Sequence, residues 1–88
     1  MNYSIKVRVE TITQNITLTD KNFCSWFAVN IGMVPVTVYG ITLQPSEGLC
    51  SKDIIPTTPG DRWEEPIPIT ITTGGALRLA RSITTPIK

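Results

Sequence analysis

Asn30-Ile31-Gly32-Met33-Val34-Pro35-Val36-Thr37-Val38-Tyr39-Gly40 is the stretch that decides the fold. Asparagine tolerates positive φ and glycine adopts it freely, so the first residues mark a reversal. The alternation that follows puts Val34, Val36 and Val38 on one face of a strand. A turn feeding a period-two run reads as one half of a β-hairpin. Pro35 has no amide hydrogen to give a ladder, so this strand pairs from Val36 onward or begins at a sheet edge. Ile41 and Leu43 keep the phase, with Gly40 as a bend or bulge inside the strand.

Outward from there the pattern repeats. Residues 23–30 place Phe23, Phe27 and Val29 on one face and Cys24, Trp26 and Ala28 on the other. Both faces are apolar, which fits a central strand covered on both sides, or one packed on one side and buried by a partner on the other. Residues 3–10 alternate Tyr3, Ile5, Val7 and Val9 with Ser4, Lys6, Arg8 and Glu10, a half-buried strand. Ile12, Ile16 and Leu18 then fall in the opposite phase, which predicts a bulge or turn across residues 11–14. Residues 17–22 read as a polar turn and Gln44-Pro45-Ser46-Glu47-Gly48 as a tight one. A short strand is expected within residues 49–55 and a loop across 56–61. Ile67, Ile69 and Ile71 alternate with residues that include Pro66 and Pro68, the mark of an edge strand. Thr73-Gly74-Gly75 reads as the last hairpin turn before Leu77 and Leu79, and residues 84–88 as a tail or docking arm. The expectation is a single domain over residues 1–88, all-β. It is a small antiparallel β-sandwich or partly open barrel of six to seven short strands, with extended terminal arms.

Composition narrows the function. Eighty-eight residues give one small core, and domains of this size often gain stability by association. A net charge of +1 argues against a nucleic-acid groove or an anionic-membrane patch. Tyr3, Phe23, Phe27 and Tyr39 are not interleaved with a basic stripe, so a base-stacking platform is not expected either. The charged share of 17%, against about 25% in typical domains, leaves a skin of Thr, Ser, Asn, Gln and Pro that suits a protein docked on another. Threonine's strand propensity accounts for the same skin without a partner. Residues 1–10 lack the apolar block of a signal peptide, so the expectation is synthesis in a cytoplasm and reduced thiols at Cys24 and Cys50. Asn15-Ile16-Thr17 then fits a glycosylation sequon by accident.

Catalytic groups are sparse. The chain has no histidine, the commonest general base. Cys24 and Ser25 have no base nearby in sequence, and the adjacent Glu64 and Glu65 diverge on a strand. Asp53, Asp61, Glu64 and Glu65 match no calcium-loop spacing. The expectation is a protein that is not an enzyme and takes no cofactor or metal. Trp63, following Pro59-Gly60-Asp61-Arg62, is either an interface anchor beside Arg62 or a plug in the open end of the sandwich. The candidate partner-binding set is Trp63, Arg62, Tyr39 and the arms that carry Tyr3 and Ile87.

One resemblance extends this reading. It is carried by Asn30-x-Gly32, Pro35-Val36-Thr37-Val38-x-Gly40-x-x-Leu43-x-Pro45-x-Glu47, Pro59-Gly60-Asp61, Ile67-x-Ile69-x-Ile71 and Leu77-x-Leu79-x-Arg81, over about two-thirds of the chain. The layout resembles small accessory structural proteins of tailed bacteriophages, particularly those infecting gut Bacteroidetes. The resemblance implies a virion protein that decorates or cements a capsid or sits at the head–tail junction. Its partner would be a larger capsid or connector protein, with copies of itself as a further possibility. Family members are expected to carry Pro-Gly-Glu where this chain has Pro45-Ser46-Glu47. The competing expectation is a surface-displayed or secreted binding module of adhesin type.

Overall fold

The computed structural model describes residues 2–20 and 22–87. Among the described residues the fold is an all-β sandwich of eight strands: β1 (Tyr3–Ile12), β2 (Ile16–Leu18), β3 (Ser25–Asn30), β4 (Val36–Val38), β5 (Ile41–Leu43), β6 (Gly48–Cys50), β7 (Ile67–Ile71) and β8 (Leu77–Pro86). Two four-stranded antiparallel sheets form, in the orders β1-β8-β3-β6 and β2-β7-β4-β5, and they do not close into a barrel. The inward residues Ile12, Trp26, Ala28, Leu77 and Leu79 of the first sheet meet Val36, Val38, Leu43, Ile67, Ile69 and Ile71 of the second. These are the alternate positions of each strand, as a two-layer core requires.

The turns do something other than the alternation implies. Six of the seven connections pass from one sheet to the other, and only β4–β5 is a hairpin. The reversal at residues 30–33 is therefore a sheet-to-sheet corner, and so is the one at 73–75. The strand expected over residues 34–43 is itself the hairpin: Val38 pairs with Ile41 across Tyr39 (φ 54°) and Gly40 (φ 77°), the positive-φ pair of a two-residue turn. β4 starts at Val36, after Pro35, as expected. The strand over residues 49–55 shortens to β6 followed by one 3-10 turn, Ser51–Asp53, whose buried Ser51 hydroxyl accepts from the Trp26 N–H at 2.9 Å.

β7 is not an edge strand. It lies between β2 and β4, and its proline is accommodated because Pro68 falls opposite the end of β4, where its carbonyl accepts from the Tyr39 N–H. The phase change near Thr11 needs no bulge either: β1 keeps register with β8 from Tyr3 to Ile12, so Ile12 simply faces the core while Val9 faces away. The reversal comes after it, within residues 13–15, where the Asn15 side-chain oxygen accepts from the Ile71 N–H. Leu18 closes β2, and Lys21 of the expected polar turn lies outside the described residues. The terminal segments are not free arms. Tyr3 pairs with Pro86, and the Ile87 N–H donates to the Asn2 carbonyl; Met1 and Lys88 lie outside the described residues.

Three sheet crossings converge on Asn30, which is 1% exposed. Its side-chain nitrogen donates to the carbonyls of Val34 (2.8 Å) and Leu43 (2.9 Å), and its side-chain oxygen accepts from Gly32 N–H (2.9 Å). Its backbone N–H donates to Glu47 and its carbonyl accepts from Ser46, while the next residue, Ile31, donates to Ala76. Asn30→Ala should cost about 3 kcal/mol in urea unfolding, because buried carbonyls lose their donors. A loss below about 1 kcal/mol would show that the corners hold without it.

Two further turns share one design. Glu47 N–H donates to Gln44 across Pro45-Ser46, and Asp61 N–H donates to Thr58 across Pro59-Gly60. In each the acidic side chain accepts from the backbone N–H of the first turn residue. Both need positive φ at the third position, +95° at Gly60 and +74° at Ser46. Serine holds that conformation under strain, so Ser46→Gly should raise stability by about 1 kcal/mol, read as a higher urea midpoint. An unchanged or lower midpoint would remove the strain.

Candidate docking surface

Along β1 the inward cover runs out. Ile12 is buried and Glu10 half-buried, but Arg8, Lys6 and Ser4 on the same face are exposed, because the short strands of the second sheet do not extend beneath them. The other face of β1 carries the apolar residues, and it too is open: Ile5 is 60% exposed, Val7 63% and Val9 57%. The half-buried strand expected from the sequence therefore presents its apolar side to solvent.

Register joins these residues to the rest of the sheet. Val9, Ala80, Phe27 and Cys50 form one row across all four strands, flanked by the rows Val7–Ser82–Ser25 and Thr11–Arg78–Val29–Gly48. Phe27, expected in the core, is 46% exposed and lies over Gly48, where an added Cβ would stand 2.6 Å from its Cζ atom. Trp26, Ala28 and Asn30 take the inward positions of β3 instead. Arg78 is the only charge in these rows, and the exposed Val7, Val9 and Phe27 with Ala80 and Val29 make the face mainly apolar, with Ser25, Ser82 and Thr11 among them.

The opposite side of the same sheet holds a buried polar and aromatic cluster. Arg81, 4% exposed, forms ion pairs with Glu10 (2.6 Å) and Asp20 (3.1 Å), and its guanidinium carbon lies 5.3 Å from the Phe23 ring centroid. Trp63 stands edge-on to Trp26 (5.6 Å) and to Tyr39 (6.1 Å), and its backbone N–H donates to the Phe23 carbonyl. At 1% exposure Trp63 is the plug between the sheets, which corrects its reading as an exposed anchor. Tyr39 is half-buried against it.

The other nominated residues gather at one end. Tyr3 and Arg62 line a cleft of about 360 Å³, where the Tyr3 ring covers Gly60, and Ile87 hydrogen-bonds beside it to Asn2. Of the nominated set, only Tyr3 shares the outward face of Ile5, Val7 and Val9. The residues that make that face were hidden in plain alternation. The one sequence clue was that residues 23–30 are apolar on both sides.

Cys24 and Cys50 are free thiols, and Cys24 contacts the Thr58 carbonyl at 3.3 Å. Among the described residues no three His, Cys, Asp or Glu side chains gather as a metal site, and no helix is long and apolar enough to cross a membrane. The chain matches no protein-family model, no curated protein and no solved structure with which it was compared.

Burial separates the two large aromatics sharply. Trp63→Ala should cost about 3–5 kcal/mol of folding, whereas Phe27→Ala should cost less than about 1 kcal/mol. Denaturant titration of both variants checks this, and equal losses would contradict the assignment of Phe27 to the surface.

Proposed function

We propose that this chain is a non-enzymatic docking module of a larger protein assembly. On its resemblance to phage accessory proteins, the assembly is a virion. The module sits on a capsid or head–tail surface as a decoration or cement protein, made in the host cytoplasm and retained on the particle. The observation that carries the docking half of this reading is the outer face of the β1-β8-β3-β6 sheet, where Ile5, Val7, Val9 and Phe27 stand exposed together. Burying such side chains is worth roughly 1.5–3 kcal/mol each when fully removed from water, so their partial exposure keeps free energy in reserve for association. The low charge of the chain supports the same reading, since few solvated groups need be stripped on contact. Many copies on one lattice would add avidity to a modest single-site affinity.

The test is mass spectrometry of purified particles carrying either the native chain or a Val9→Lys/Phe27→Lys double variant. The native chain is expected in many copies and the variant reduced more than about tenfold, with an unchanged unfolding midpoint. Native chain found only in host lysate and absent from particles would defeat the virion reading.

A further inference from the structure

We propose that the free edge of β1 is a strand acceptor for an extended partner segment that alternates apolar and acidic residues. The inference rests on the docking reading only for the existence of a partner, and it names that partner's chemistry.

Ladder phase decides which backbone groups of β1 are free. The Ile87 N–H donates to the Asn2 carbonyl, so even-numbered residues of β1 turn their N–H and C=O toward β8. The Cys24 N–H donates to Ser82, which fixes the complementary phase on β8, whose even-numbered residues face β3. Tyr3, Ile5, Val7, Val9 and Thr11 therefore direct their backbone groups out of the sheet edge, where β1 has no neighbouring strand. Among the described residues no backbone partner stands on that side. The edge runs ten residues without a proline or a bulge, the usual devices that blunt such edges.

Charge then selects the occupant. Lys6 and Arg8 are exposed, and they flank Val7 at positions that would form the close, non-hydrogen-bonded pairs with an added antiparallel strand. A second copy of β1 centred on Val7 engages all five outward residues but sets Lys6 against Arg8 twice, a destabilising pairing. Centring on Val9 pairs Arg8 with Glu10, but Glu10 is already held by Arg81 and fewer hydrogen bonds form. A strand with acidic residues opposite Lys6 and Arg8 satisfies both charges. Its apolar residues then fall beside Ile5, Val7 and Val9 and widen the apolar face.

The probe is a blocked peptide, Thr-Val-Glu-Val-Glu-Val-Thr, with a Lys-for-Glu peptide as comparison, at millimolar concentration. The acidic peptide is expected to slow hydrogen exchange at the Ile5, Val7 and Val9 amides and to bind about tenfold more tightly than the Lys peptide. Lys6→Glu/Arg8→Glu should reverse that preference. Val7→Pro removes an edge donor that the β8 ladder does not use, so it should abolish protection while the unfolding midpoint stays near native. The proposal is overturned if neither peptide protects these amides or if both bind alike. Concentration-dependent protection without peptide overturns it equally, since a second copy then takes the edge. Particles that retain Val7→Pro but lose Val9→Lys/Phe27→Lys would refute the strand acceptor and leave the docking reading standing. Particles that retain both would refute the two together.

Discussion

Strands of three residues cannot define a sheet by themselves, and four of the eight strands here are that short, so the sandwich takes its order from its corners. Those corners close on the carboxamide of Asn30. Both side-chain donors and the acceptor are used, and the two carbonyls they reach belong to the chain entering β4 and the chain leaving β5. An amide buried with all its hydrogen bonds made carries little desolvation cost, and each group it satisfies would be costly alone. Asn30 also sits at the end of β3, so the same residue that stops one strand fixes where the next sheet begins.

At the far end of the sandwich the Trp63, Trp26 and Tyr39 cluster fills the space between the sheets, and Arg81 lies beneath it against Glu10, Asp20 and the Phe23 ring. Among the described residues Arg81 is the one buried charge, and it is tolerated because two carboxylates and an aromatic face surround it. The ion pairs also draw residue 20, on the link between β2 and β3, onto the β1–β8 ribbon. A polar corner at one end and an aromatic and ionic plug at the other thus bracket a short aliphatic core.

The alternation in Val36–Val38, Ile67–Ile71 and Leu77–Leu79 was legible because inward burial leaves a period-two trace in sequence. The topology was not. Asn30-x-Gly32 and Thr73-Gly74-Gly75 supply the backbone reversals of hairpins, yet the chain uses them to change sheets, and local turn chemistry does not distinguish the two. Pro68 misled for a related reason: its missing donor excludes it from a continuous ladder, but β4 stops opposite it. The candidate surface was hidden more completely. Ile5, Val7 and Val9 alternate like core residues, and only the choice of which face of β1 meets the second sheet, a tertiary fact, leaves them uncovered. Trp63 stayed open between anchor and plug, since a tryptophan beside a polar loop reads the same whether it points out or in, and burial decides for the plug.

An open apolar face and an unpaired ten-residue edge on the same strand would ordinarily invite aggregation. The placement of Lys6 and Arg8 addresses this. Their side chains project to the face opposite Ile5, Val7 and Val9, so they leave the apolar surface unbroken while setting like charges against any second β1 that pairs across the full edge. Gly48 contributes on the same face at the far edge of the sheet: without a Cβ it leaves room for the Phe27 ring over β6. Positive charge along the edge and a flat apolar face beside it discriminate by electrostatics first and by shape second. On the docking reading proposed above, both features are needed at once, and here one strand carries them on its two faces.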